Sequence, residues 1–264
     1  MRSWVAGFVG TCERQSLDTR TANASLPLSE QQIAALMTKK VFFGHQSVGN
    51  NIIDGIQDLE RSDARLKLNI VKSSEPQGVP GPAFVEYEVG RNTEPQSKVD
   101  AFASVINKGL GEQGGVALLK FCCVDIDAST DVDKMFAEYR DAVAALKSKY
   151  PALRIVHVTV PLTTVEPRIK AWAKGLLGKN TQRAVNVKRN RYNSLLKRTY
   201  NGSEPIFDLA EVESTHSDGT RSYFREDTEI IYTLSPEYTV DGGHLNEAGR
   251  RRAAQQLLIT LSQL

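Results

Sequence analysis

The chain has little of what staples, metallates or membrane-anchors a protein. Only three of its 264 residues are cysteine, at positions 12, 122 and 123, which excludes a disulfide-built scaffold. Cys122 and Cys123 lie in an apolar run from Val116 to Val124 and read as small core residues, the usual fate of free cysteine. The four histidines do not cluster, and no His-Glu-x-x-His or zinc-type cysteine spacing occurs, so no metal is expected. No run approaches the roughly 20 apolar residues that span a bilayer, so no transmembrane segment is expected. Excess charge is also lacking: 33 Lys+Arg stand against 31 Asp+Glu, and nothing global asks for a nucleic acid. Gly109-Leu110-Gly111-Glu112-Gln113-Gly114 has dinucleotide-loop spacing, but it follows a helix-like segment and leads into a strand-like one. A dinucleotide loop needs the opposite order, and no cofactor is expected.

What is present suits one globular domain. The chain is 41% hydrophobic and 24% charged, enough for a sizeable core. Residues 1–27 read as a tail and 28–264 as the domain. The tail starts with a basic residue, a short apolar stretch and Cys12, then turns polar. It is similar to the end of a lipoprotein signal, with Cys12 as a candidate lipid anchor, which slightly favours the cell envelope or secretion; a frayed cytoplasmic terminus is the alternative.

From Leu28 strand-like and helix-like patterns alternate. Ser29 with Gln32 is a capping-box signature for a helix running to about Met37. Strands are predicted at Val41 to Phe43, Leu66 to Ile70, Val116 to Leu119, Ile155 to Val160 and Ile206 to Phe207. Helical spacing follows Gly44 (Val48, Ile52, Ile56, Leu59) and recurs at Lys98 to Lys108, Val132 to Tyr150, Thr181 to Tyr200 and Asn246 to Leu261. Strands separated by helices imply a three-layer α/β/α sandwich around a mostly parallel sheet of about five strands. The stretches Ser73 to Pro95, Pro161 to Asn180 and Ala210 to Val240 are too long to be plain connections. Each follows a predicted strand and opens at the carboxyl edge of the sheet, where such folds bind ligands.

Two short segments carry the chemistry. Gly44-His45-Gln46-Ser47-Val48-Gly49 joins the first strand to its helix and places Ser47 in a tight turn, either as a nucleophile or as the helix N-cap. Asp241-Gly242-Gly243-His244-Leu245-Asn246 precedes the last helix. An Asp three residues before a His can bend back onto the imidazole Nδ1–H and leave Nε2 free to take a proton; a plain turn capped by Asn246 is the alternative.

Ser47 behind the first strand, with Asp241-x-x-His244-Leu245-Asn246-x-x-Gly249 before the last helix, resembles the SGNH (GDSL-type) hydrolases over about residues 40–261. The resemblance implies a flavodoxin-like fold and a serine esterase acting on an acyl, perhaps acetyl, ester of a carbohydrate or small molecule. Ser47 would be nucleophile, Asp241 orienter and His244 base. An acyltransferase to a sugar hydroxyl and a non-catalytic carbohydrate-binding protein of the same fold are the alternatives. Three departures from the family pattern stand out. Gly44-His45-Gln46-Ser47 replaces Gly-Asp-Ser. The oxyanion glycine is assigned to Gly90, with Gly78 and Gly81 competing. The family's Gly-x-Asn-Asp has no Asn here, the stretch reading Lys120-Phe121-Cys122-Cys123-Val124-Asp125. The oxyanion site is therefore expected to use the N–H groups of Ser47 and Gly90 with the Asn92 side chain, and His45 and Asp125 are candidate lining residues.

Remaining signals have plainer readings. His157 looks like a core histidine and His216 like a solvated one. The basic run Lys179, Arg183, Lys188, Arg189, Arg191, Lys197, Arg198 is either a solvated helix face or a contact for an anionic polymer. Trp172, Tyr223, Phe224, Tyr232 and Tyr238 fall in the long loops, either to stack on sugar faces or to pack those loops down.

Overall fold

The computed structural model describes residues 27–166 and 181–264. Cys12, Trp172 and Lys179, and with them the candidate anchor, lie outside the described residues. Among those described, no helix is long and apolar enough to cross a membrane.

A six-stranded parallel sheet runs in the order β2-β3-β1-β4-β5-β6. Its strands are β1 (Lys40–His45), β2 (Ile70–Lys72), β3 (Ala83–Glu88), β4 (Gly115–Leu119), β5 (Leu153–Val158) and β6 (Ile206–Phe207). The helices are α1 (Glu30–Leu36), α2 (Val48–Ser62), α3 (Pro95–Val105), α4 (Val132–Lys149), α5 (Gln182–Tyr200), α6 (Leu209–Ser214) and α7 (Glu247–Ser262). The α/β/α sandwich is as expected. The capping box also forms, with Ser29 Oγ accepting from Gln32 N and Ser29 N donating to Gln32 Oε1.

Alternation along each strand divides the core between two faces. Val41 and Phe43 pack with Ile52 and Ile56 of α2 and Leu257 and Leu258 of α7. Phe42, Val85 and Leu119 pack on the other face with Phe102 of α3, Tyr139 of α4 and Tyr192 of α5. Strands covered on both faces need nearly continuous apolar runs, which is why β1 and β4 are plain in the sequence.

The sequence reading misses one strand and misplaces another. β3 lies inside the stretch taken as a long loop, because Glu86 and Glu88 interrupt its apolar pattern. Glu86 is nevertheless buried, its Oε2 2.9 Å from Nε2 of the equally buried His45. The second strand is Ile70–Lys72 rather than Leu66 to Ile70; Leu66 is core, but precedes the strand. The third long stretch carries an unforeseen antiparallel hairpin, β7 (Tyr223–Glu226) with β8 (Glu229–Tyr232). The glycine-rich segment after α3 is a helix terminus leading into β4, with Gly109 at φ +130°.

Candidate active site

The chain must pass from β1 to α2 within Gln46 and Ser47. His45 fixes the end of the strand, its ring buried directly beneath the helix. A Cβ on Gly49 would lie 2.3 Å from that ring, so only glycine lets α2 start there. Gln46 Nε2 donates to the carbonyls of Val89 and Gly90 at 3.2 and 3.0 Å, tying the turn to the loop behind β3. Ser47 sits between these restraints at φ +20°, ψ −84°, a conformation costing about 1–3 kcal/mol for a residue with a side chain.

Ser47 occupies the N-cap position of α2, but its side chain makes no capping hydrogen bond. Its Oγ lies instead 3.6 Å from Cys122 Sγ. The capping reading therefore fails.

The loop after β3 brings Gly90 alongside. Val89 N donates to His45 O, and Gly90 turns at φ +61°, where a Cβ would meet the Lys98 backbone at 2.6 Å. Gly78 and Gly81 precede β3, at the opposite edge of the sheet, and do not compete. The N–H groups of Ser47 and Gly90 donate to no acceptor among the described residues, so both remain for a ligand oxygen. Asn92 follows Gly90, but its Oδ1 accepts from Lys98 Nζ at 2.9 Å.

Asp125 is a clasp rather than a lining residue. Its Oδ2 accepts from Cys122 N at 2.6 Å and from Lys98 Nζ at 2.5 Å, while its Oδ1 accepts from Thr93 N at 2.9 Å. Lys98 and Asp125 are fully buried as side chains, so the clasp joins the loops after β3 and β4 out of water. His45 is likewise not at the mouth: it is completely buried, and burial depresses its basicity despite the hydrogen bond to Glu86.

On the other side, the Asp241 carboxylate organises its own loop. Oδ1 accepts from Gly243 N and His244 N at 2.9 and 2.8 Å, and Oδ2 lies 2.7 Å from His244 Nδ1. The His244 hydrogen bond, followed by the two backbone donors, holds the carboxyl far below the usual carboxylate range. Nε2 makes no hydrogen bond with the described residues. Leu245 N donates to Asn51 Oδ1 at 3.1 Å, which pins the loop to the N-terminal part of α2, the helix that Ser47 heads. Thr164 N donates to Gly242 O from the chain after β5. Asn246 caps α7 through Gly249 N, so the turn reading and the imidazole reading hold together. Ser47 and His244 share one end of α2 without a direct hydrogen bond.

The structure also brings in residues that the sequence reading passed over. Lys120 is fully buried, with Nζ 3.2 Å from Phe121 O and 3.7 Å from Cys122 Sγ. Arg189 donates to Cys123 O through Nε and Nη2 at 3.1 and 2.8 Å. For Lys120, a charge in the middle of the otherwise apolar run Val116 to Val124 was the available signal. Among the described residues no group of three or more His, Cys, Asp or Glu side chains could hold a metal ion.

Several peripheral expectations change. Arg183 stacks on Phe224, Arg191 pairs with Asp133 and Lys197 with Asp208, so much of the basic run is spent within the fold. Phe224 and Tyr238 are buried and Tyr232 lies under Arg221, which leaves Tyr223 as the open ring among the described loop aromatics. His157 is a core residue, lying 2.8 Å from Tyr139 Oη and lowered to about 4 by burial. His216 is not simply solvated, since it contacts Glu237 and Ser222.

No family model matches the chain. No curated protein matches it either. Solved structures do. A GDSL-like lipase from Bacteroides thetaiotaomicron aligns over 92% of this chain and 94% of its own, at 10% identity and TM-score 0.50. The fold is that of the SGNH, or GDSL-like, hydrolases. Two further matches are a carbohydrate esterase family 3 protein from Talaromyces cellulolyticus (14% identity, 85% and 97% coverage, TM-score 0.47) and the periplasmic domain of a Salmonella lipopolysaccharide acetyltransferase (14%, 86% and 86%, TM-score 0.42).

Proposed function

We propose that this protein is a serine esterase with Ser47 as nucleophile, His244 as base and Asp241 as its orienter. One observation carries the reading: Ser47 is held in a strained strand-to-helix turn with its hydroxyl withheld from its own helix. A serine kept only to cap α2 would turn its hydroxyl onto that helix.

Ser47 Oγ attacks the ester carbonyl carbon as His244 Nε2 takes its proton, and the carbonyl oxygen becomes an anion received by the N–H groups of Ser47 and Gly90. Collapse restores the carbonyl and expels the alcohol, which leaves with the proton held on Nε2. Water then attacks the acyl-serine, gives its proton to Nε2, and the carboxylic acid departs as Ser47 recovers its hydroxyl. Nε2 closes on the serine in the substrate complex, where catalytic hydrogen bonds commonly tighten.

We assign the alcohol half of the ester to the shallow cleft lined by Thr164, Arg221, Ser222, Tyr223 and Thr233, which adjoins the histidine loop through the Thr164 N–Gly242 O bond. Hydroxyls, a guanidinium and an open aromatic ring suit a carbohydrate. The His244 side chain is 55% exposed, so a sugar hydroxyl can replace water in the second step, which favours acyl transfer as the second reading.

The test is hydrolysis of short-chain and acetylated-sugar esters by the full chain, with and without sugar acceptors, beside Ser47→Ala and His244→Ala. Turnover lost in both variants is the expected result. Acyl product formed only with an acceptor would make the protein a transferase. Ligand binding without turnover in either format would leave a binding protein.

A further inference from the structure

The SGNH resemblance leaves an oxyanion donor unaccounted for, because no Asn follows β4. Asn92, the sequence-based substitute, is tethered by Lys98 through its Oδ1, and its Nδ2 makes no hydrogen bond with Ser47 or Cys122. The side chain against the nucleophile is Cys122, with Sγ 3.6 Å from Ser47 Oγ and a backbone N–H locked to Asp125. Behind the sulfur lies Lys120, fully buried, with Nζ 3.7 Å from Sγ and only the Phe121 carbonyl as its other hydrogen-bond partner among the described residues. Burying an ammonium is expensive, and a cysteine that merely fills space needs none behind it.

We propose that the Cys122 thiol is the third oxyanion donor, polarised by the buried Lys120 ammonium; this rests on the esterase reading above. A thiol has one hydrogen to give and lone pairs to receive. Lys120 donates to the lone pairs, so the S–H is left for the serine side, where the carbonyl oxygen arrives. As the Ser47 Oγ–carbon bond forms, the carbonyl π pair moves to oxygen and three hydrogens meet it, from Ser47 N, Gly90 N and Cys122 Sγ. As the intermediate collapses the pair returns to the carbonyl and the three bonds relax. The thiol keeps its proton throughout. A thiol donates more weakly than an amide, and the adjacent ammonium compensates by strengthening the S–H donor. Cys122 is thus a catalytic residue, and Lys120 a positioning residue acting through it.

The experiment compares wild type, Ser47→Ala, Cys122→Ala, Cys122→Ser, Cys122→Asn, Lys120→Met and the Cys122→Ala/Lys120→Met double variant. It measures kcat and KM for ester hydrolysis, inhibition by phenylboronic acid, which forms a tetrahedral adduct on serine, and thermal melting of each variant. Cys122→Ala is expected to lose about 10²–10³-fold in kcat with KM within twofold, and to bind the boronic acid correspondingly more weakly. Cys122→Asn and Cys122→Ser should restore kcat to within tenfold of wild type. Lys120→Met should lose about tenfold, and the double variant should be no slower than Cys122→Ala, since the lysine works through the sulfur. Should Cys122→Ala fail to fold, a Cys122→Asn variant that folds and is as slow as Ser47→Ala overturns the proposal. Undiminished kcat in Cys122→Ala, or reduced kcat with unchanged boronic acid affinity, overturns it while leaving the esterase reading intact. A wild type no faster than Ser47→Ala overturns both.

Discussion

The two halves of the candidate site are built in opposite ways. The serine half is buried and held by distant parts of the chain: His45 on Glu86, Gln46 on the carbonyls of Val89 and Gly90, and Asp125 on Cys122, Thr93 and Lys98. The histidine half is exposed and nearly self-sufficient, with three of its bonds made by one carboxylate to residues within three positions. Long-range restraint supplies strain and positioned donors, whereas a local turn supplies an open proton acceptor. Damage to the supports around Ser47 should therefore harm structure and catalysis together, and damage to the second half should harm catalysis alone.

The sharpest contrast is predicted for His244→Ala. It should reduce kcat by on the order of 10⁴-fold or more while the melting temperature stays within about a degree, because the ring is exposed and bears no packing. Asp125→Asn leaves the buried Lys98 ammonium without its counter-ion. Breaking a buried pair costs about 3–5 kcal/mol, so the melting temperature should fall by roughly 10 °C, with activity falling too. A scan showing no fall would mean that the clasp is dispensable and would break the comparison. Ser47→Gly should abolish activity yet raise melting by about 2–4 °C, since glycine adopts the positive φ without strain.

The last expected effect concerns pH. Glu213 is fully buried; burial pushes its carboxyl up to about 8, with one oxygen accepting from Leu162 N. The folded state therefore holds a proton that the unfolded chain releases above the ordinary carboxylate range. Stability is fully present below about 4.5 and declines as pH rises toward about 8. Melting scans across that window should show the decline in wild type, and Glu213→Gln should flatten it.

The same contrast explains what could be read in advance. Asp241 and His244 were legible because their geometry is a property of a six-residue segment. So were β1 and β4, whose apolar runs need no context. β3 was hidden because Glu86 looks like a surface residue until His45, 41 positions away, is set beside it. Cys122 and Lys120 were hidden for a related reason: an apolar run containing cysteine reads as packing, and only the folded loop puts the sulfur against Ser47. Asn92 was chosen by residue type and sequence proximity to Gly90, and neither reveals that Lys98 tethers its side chain through Oδ1.

The bond from Leu245 to Asn51 joins residues 194 positions apart, linking the last helix to the first turns of α2. During synthesis the serine turn and its supports emerge well before Asp241 does, and chains fold progressively from the amino end. A nascent chain thus carries the Ser47 turn before it carries the His244 loop. On the esterase reading, turnover would wait until the Asp241–Asn246 loop has docked on α2, which makes it a report on that long-range docking.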